Sequence, residues 1–212
     1  VPIVDSDPIG QRARGSYAET TTVSAPAKVR ILETANRLFY DEGIRIVGID
    51  RLISESLVTK ATFYKHYGSK DRLILEYIAA RDFDGREQIT RIVRDSDSPE
   101  KSILALTEAI ADHVQTSGFR GCPFINAATE YADPRHRVRE IVSEHRDWFA
   151  ELVTDLFADL GHPLPGDAGD DFVLARDGAM TGGSVGDPIA ASTGLRRTAL
   201  RIIGEAKKKQ LK

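Results

Sequence analysis

Apolar residues recur along this chain at intervals of three and four, the period of a helix, and nowhere do they alternate as a strand requires. The first stripe is Ile31, Leu32, Ala35, Leu38 and Phe39. Ser24 is placed to cap it, Pro26 suits a first turn, and Gly43 stops it, so the pattern predicts a helix over about 26–42. A short helix over about 49–56 follows, with Ile49, Leu52 and Ile53 inward. Another spans about 59–67, opened by Thr59. Ser69 then caps a helix carrying Leu73, Ile74, Tyr77 and Ile78 to about Arg94, with Asp71 near its positive end.

Three later helices are announced by a capping residue followed by proline. Ser98-Pro99 predicts one to about Thr116, Asp133-Pro134 one to about Leu160, and Asp187-Pro188 one to about Ala206. Shorter helices are expected over about 123–130 and 168–182. Residues 1–24, with Pro2, Pro8, Gly10, Gly15 and the run Thr20-Thr21-Thr22, show no helical period and read as a mobile arm with Arg12 and Arg14 as its basic residues. Residues 207–212 read as a solvated basic tail. The fold class expected is all-α. It has a three-helix head over residues 25–70 and a helical body over residues 71–206.

Composition narrows the classes. The 212 residues are 41% hydrophobic and 29% charged, with one cysteine, Cys122. The longest apolar runs fall far short of the ~20 residues of a membrane-spanning helix. No secretory signal is expected, since no basic segment followed by an apolar one is recognisable before the first helix, and a lone cysteine suits a reducing cytoplasm, the expected location. Net charge is −3, with a small basic excess in the first 70 residues and an acidic excess beyond. This permits a nucleic-acid-contacting head on an acidic body without requiring one.

The chemistry concentrates in the third helix. Val58, Phe63 and Tyr67 can face a core, while Thr59, Lys60, Thr62, Tyr64, Lys65 and His66 can face outward. Hydroxyls and ammoniums suit phosphates, and short polar groups suit base edges in a major groove. Tyr64 is expected on phosphate and Lys65 or His66 on a base edge. Lys70, beside the free amides of the next helix, is expected to meet another phosphate. The competing reading is an ordinary bundle with a solvated polar face.

Residues 28–78 resemble the DNA-binding domain of the TetR family. The densest match runs Val58-Thr59-Lys60-Ala61-Thr62-Phe63-Tyr64-Lys65-His66-Tyr67-Gly68-Ser69-Lys70, then Leu73. Ala35, Leu38, Phe39 and Gly43 match in the first helix. One departure stands out: Leu57 occupies the turn where the family usually has glycine, so the turn must avoid or tolerate left-handed dihedrals. The resemblance implies a helix-turn-helix regulator of transcription, a repressor that leaves a palindromic operator when a small molecule binds. It implies a homodimer whose last two helices pair with their twins, and a body enclosing an effector cavity. An alternative is a helical small-molecule binder without specific DNA binding.

The match weakens after Tyr77, although residues 121–131 and the Trp148-Phe149-Ala150 helix are similar to stretches of many such regulators. Gly178, Gly182 and Gly183 would allow close helix approach. Ile189, Leu195, Leu200, Ile202 and Ile203 offer a dimer face, or pack within one subunit. The candidates for the effector cavity are Tyr77, Phe83, His113, Phe119, Phe124, Asn126, Trp148 and Phe157, each also readable as plain core. An apolar or aromatic effector is expected. Cys122 reads as a small buried residue before a helix, ahead of a redox or electrophile sensor. Glu140, Glu144 and His145, with Arg137, Arg139 and Arg146, read as an ion-paired helix face ahead of a metal cluster. No catalytic, cofactor or metal motif is recognisable.

Overall fold

A computed structural model describes residues 25–210, with side chains through Lys207. Among these residues there are nine helices and no strand. The expected arm of residues 1–24, with Ser24, Arg12 and Arg14, lies outside them. No described helix is long and apolar enough to cross a membrane. The chain forms two compact units. One contains residues 25–84 and 123–143, the other residues 85–122 and 144 onward.

The first unit holds α1 (Ala27–Glu42), α2 (Ile49–Glu55), α3 (Lys60–Tyr67) and α6 (Pro123–Glu130). It also holds the first part of α4 (Lys70–Arg94) and the start of α7 (Arg137–Asp159). Its core follows from the apolar stripes: Ile31, Ala35, Leu38 and Phe39 of α1, Leu52 of α2, Phe63 and Tyr67 of α3, and Leu73, Ile74, Tyr77 and Ile78 of α4 are all buried. Each such large side chain contributes about 1.5–3 kcal/mol on burial. The units do not divide at residue 70, where the head was expected to end. The cut falls within α4, and a later stretch of chain, residues 123–143, joins the head.

The second unit holds α5 (Pro99–Val114), α8 (Pro165–Val185), α9 (Pro188–Gln210) and the remainder of α4 and α7. α9 packs along α8 and against α5. Ile103, Leu106, Val114, Phe157, Phe172, Leu195, Ile202 and Ile203 are buried there, with the Phe157 and Phe172 rings edge to face at 6.0 Å.

Local sequence signals decide most boundaries. Ser98 Oγ accepts the Lys101 N–H at the start of α5. Asp187 Oδ1 accepts those of Ile189 and Ala190 at the start of α9, and Ser69 Oγ accepts that of Arg72 in the first turn of α4. Some expectations change. Pro26 itself occupies the cap position of α1, without a side-chain bond. Asp133-Pro134 opens a turn rather than a helix: Asp133 Oδ1 accepts the Arg135 N–H at 2.9 Å, its carbonyl accepts from His136, and α7 begins only at Arg137. The side chain of Asp133 satisfies its own turn and has no helix left to cap. α8 is longer than expected at both ends. α9 continues into the expected tail as far as Gln210, and Lys207 pairs with Glu100 at 2.7 Å.

Candidate nucleic-acid interface

The helix-turn-helix is built from α2, a turn at Ser56–Thr59, and α3. α2 ends in a Schellman arrangement: the Val58 N–H donates to the Ile53 carbonyl and the Leu57 N–H to that of Ser54. This geometry requires a left-handed residue, and Leu57 supplies it with φ 53. The turn is therefore left-handed with a leucine in it. Arg30 of α1 reaches beneath it. Its Nε donates to the Ser56 carbonyl at 3.1 Å and its Nη2 to that of Leu57 at 3.1 Å, while Nη1 holds the Ala25 carbonyl. One buried guanidinium thus satisfies the free carbonyls at the end of α2 and ties them to the start of α1.

Thr59 caps α3, its Oγ1 accepting the Thr62 N–H at 3.1 Å, and the two threonine hydroxyls lie 2.9 Å apart. Phe63 and Tyr67 turn inward at 0% and 2% exposure, whereas Lys60, Tyr64, Lys65 and His66 face outward and Thr62 is half-buried. The Tyr67 hydroxyl donates to the Lys28 carbonyl at 2.8 Å, anchoring the end of α3 to the first turn of α1. Burial, and then the nearby Glu76, push the Tyr67 phenol far above its ordinary range, so it acts as a neutral donor. Gly68, at φ 73, closes α3.

Lys70 is the exception among the expected contacts. Its Nζ donates to the Arg45 carbonyl at 3.3 Å and lies 5.9 Å from the Phe39 ring centre. Partial burial lowers its pKa, partly offset by Glu130 and Asp71. The carbonyl it holds belongs to the α1–α2 loop, a link that sequence reading missed.

A second feature of that loop also escaped the sequence. Glu130, at the end of α6, accepts the Ile44 N–H on Oε1 at 2.8 Å and the Arg45 N–H on Oε2 at 2.7 Å. Arg45 Nη1 donates in return to the Glu130 carbonyl at 3.1 Å. Eighty-odd residues separate the partners, so no local pattern marks the pairing. Arg139 donates to the Ala128 and Tyr131 carbonyls and closes the rest of that helix end.

The expected effector residues fall into both units. Tyr77, thought to face the body, instead sets its ring edge against Phe39 of α1 at 5.4 Å, in the core of the head. Phe83 is 63% exposed, since its position on α4 turns away from the buried stripe of Leu73, Ile74, Tyr77 and Ile78. Phe124 is buried and Asn126 half-buried in the first unit. In the second, His113 and Phe119 meet edge to face at 5.0 Å, and half-buried Trp148 lies under the Arg86 guanidinium at 4.8 Å. Phe157 is fully buried core.

Cys122 is buried, with Arg176 Nη2 donating to its Sγ at 3.5 Å. That neighbour comes from α8, 54 residues along the chain. Glu140 pairs with Arg137, His145 is buried, and no group of three metal-ligating residues occurs among the described residues. The expected dimer-face residues divide: Leu195, Ile202 and Ile203 are buried within the subunit, while Ile189 and Leu200 are exposed. A Cβ at Gly183 would overlap Val114 of the same subunit, and one at Gly182 would touch Ala191, but one at Gly178 would meet open space.

Comparison with known proteins gives a consistent result. The family model described as "Bacterial regulatory proteins, tetR family" matches residues 31–77. A TetR-family transcriptional regulator from Streptomyces coelicolor is 40% identical in a structural match with a TM-score of 0.82, covering 85% of this chain and 95% of that one. A TetR-family regulator from Agrobacterium tumefaciens shares the fold at 16% identity and a TM-score of 0.74, over 82% of this chain and 96% of that one. The HTH-type transcriptional regulator YjdC of Escherichia coli is 28% identical over 89 residues, 40% of this chain and 46% of that protein. The chain thus spans less than half the length of that curated relative.

Proposed function

The chain belongs to the TetR family of DNA-binding transcriptional regulators, and from that premise we propose that it is a repressor that leaves a palindromic operator when a small apolar or aromatic molecule binds. The observation that carries the reading is the outward face of α3. Lys60, Tyr64, Lys65 and His66 are presented to solvent on a helix fixed by Phe63, Tyr67 and the Thr59 cap. Tyr64 contacts a phosphate, and Lys65 or His66 reads a base edge. Thr59 and Thr62 add hydroxyls at the helix start. Lys70 spends one donor on Arg45 and keeps two for a phosphate.

The same reading includes a homodimer through α8 and α9. Leu174, Val185, Ile189 and Leu200 are 59–82% exposed on these two helices, and Gly178 leaves room for a neighbouring helix. Two-fold symmetry would set the two α3 helices in major grooves roughly 34–36 Å apart, or a multiple of that. The effector site belongs to the second unit, where half-buried His113, Phe119 and Trp148 combine aromatic surface with polar atoms. α4 contributes residues to both units as one unbroken helix, and carries the effector's influence to α3. Linkage requires operator DNA to weaken effector binding by the factor that the effector weakens operator binding.

A gel-shift titration against the DNA flanking the protein's own gene tests the reading. A discrete complex resisting non-specific competitor is expected. Only diffuse, competitor-sensitive retardation would overturn it.

A further inference from the structure

We propose that Glu130 is a positioning residue for DNA reading: its carboxylate clamps the Ile44 and Arg45 peptides and so fixes how the chain approaches α2. This rests on the DNA-binding reading above.

The geometry is that of a two-pronged acceptor. Oε1 and Oε2 each take one of two consecutive backbone N–H groups, at 2.8 and 2.7 Å. The loop itself lacks other means to hold these groups. α1 stops at Gly43, whose φ of 104 turns the chain out of the helix. α2 starts at Gly48, a cap position with no side-chain bond to offer. Between them Ile44 and Val47 are buried while Ile46 is 77% exposed, so apolar anchoring holds one side only. The Glu130 carboxylate lies against Gly43 itself, where a Cβ would stand 3.4 Å from Oε1, in ordinary contact.

The clamp extends beyond the loop. The Arg45 peptide donates its N–H to Glu130 and its carbonyl accepts from Lys70 at the start of α4. A single residue of the loop is therefore gripped from α6 on one side and from the helix following α3 on the other. Arg45 returns a bond from Nη1 to the Glu130 carbonyl, so side chain and backbone exchange bonds in both directions. A carboxylate accepting backbone N–H bonds makes the stronger, charge-assisted kind. α2 and α3 are a rigid pair joined by a tight turn, so a shift at the start of α2 becomes a shift of the reading helix.

A positioning role makes a distinctive demand. Non-specific attraction to phosphates tolerates a misplaced helix, whereas base-edge contacts do not. Loss of the clamp should therefore lower the ratio of specific to non-specific affinity. A loss of folded protein would lower both equally.

The experiment uses the full chain, a duplex recovered by the wild-type protein from a randomised pool, and a scrambled duplex. Glu130→Ala is expected to release the Ile44 and Arg45 amides to hydrogen exchange. Its preference for the selected duplex should fall about tenfold, in line with losing charged hydrogen bonds, with scrambled-duplex binding nearly unchanged. Glu130→Gln keeps one acceptor and turns a donor toward the second N–H, so an intermediate result is expected; it also supplies a folded variant should alanine prove unstable. Amides that stay protected, or a selected-to-scrambled ratio that stays at the wild-type value in both variants, would overturn the proposal. Failure of the wild-type protein to enrich any sequence would overturn the DNA-binding reading instead, while the exchange measurement would still report on the clamp.

Discussion

Arg30 Nη2 donates to the carbonyl of Leu57 at 3.1 Å, so the residue holding the left-handed turn of the helix-turn-helix is itself held from α1. Leu57 is the one described non-glycine residue at positive φ, and its side chain is 58% exposed. The cost of that conformation is thus offset by the bonding beneath it and not by burial of the leucine.

Leu57→Gly should raise stability. A left-handed residue with a Cβ costs about 1–2 kcal/mol, and glycine returns part of this through its freer unfolded chain. A net gain of about 0.5–1 kcal/mol is expected in denaturant unfolding, since little apolar surface is lost. A lower midpoint would show that Leu57 contributes more by contact than it loses by strain.

Arg30→Lys should destabilise the head by about 2 kcal/mol or more. The fork of Arg30 serves three carbonyls, and an ammonium lacks the planar spread to reach all of them. Arg30→Met should cost at least as much. Thermal unfolding of the two variants measures this, and values within about 0.5 kcal/mol of wild type would mean that water replaces the guanidinium without penalty.

Tyr64→Phe should weaken binding about equally on all DNA sequences, and Lys70→Ala should weaken it and flatten the salt dependence by roughly one ion. Substituting Lys65 or His66 should instead change base preference, at ~1–3 kcal/mol for a lost base contact. Binding isotherms at several salt concentrations separate the two classes. An unaltered affinity for both Tyr64→Phe and Lys70→Ala would place the DNA on another face.

Acid should remove one stabilising contribution from the head. The Arg37 and Arg51 hydrogen bonds hold the Glu55 carboxyl below the usual range. A depressed carboxylate stabilises fully above its unfolded pKa and loses that contribution as pH falls through the lower folded value. The stability gap between wild type and Glu55→Gln should therefore be constant from neutrality down to about pH 4.5 and close below it. A gap unchanged across the acid range would mean that these surface pairs contribute nothing, as many do.

Leu200→Glu or Ile189→Glu should dissociate the proposed dimer while leaving each subunit folded, because both side chains are exposed in the single subunit. Sedimentation at micromolar concentration should show the wild type at twice the 23.3 kDa chain mass and the variants at the chain mass. A wild type that sediments as a single chain would sink the dimer.

Much of the fold was legible because it is written locally. Thr59, Ser69, Ser98 and Asp187 each cap the helix their sequence announces. Asp133 misled because its side chain folds back on Arg135, a choice between turn and cap that one residue type cannot express. The inward and outward faces of α3 followed from spacing alone. Contacts across long stretches of chain did not: nothing near Arg30 points to Leu57, nothing near Cys122 to Arg176, and nothing near Ile44 to Glu130. Nothing near Tyr77 points to Phe39 either, since an aromatic on a helix shows which face is buried but not what covers it.

The DNA-reading unit is consequently encoded in two places. Residues 25–84 supply the side chains proposed to touch the operator, and residues 123–143 supply the carboxylate that holds the α1–α2 loop. Such a unit is not portable. A head cut out after α4 would keep the Arg30 fastening at one end of α2 and lose the Glu130 fastening at the other. A chimera joining this head to a foreign body would inherit its sequence preference only if the incoming chain brought an acid to the same spot.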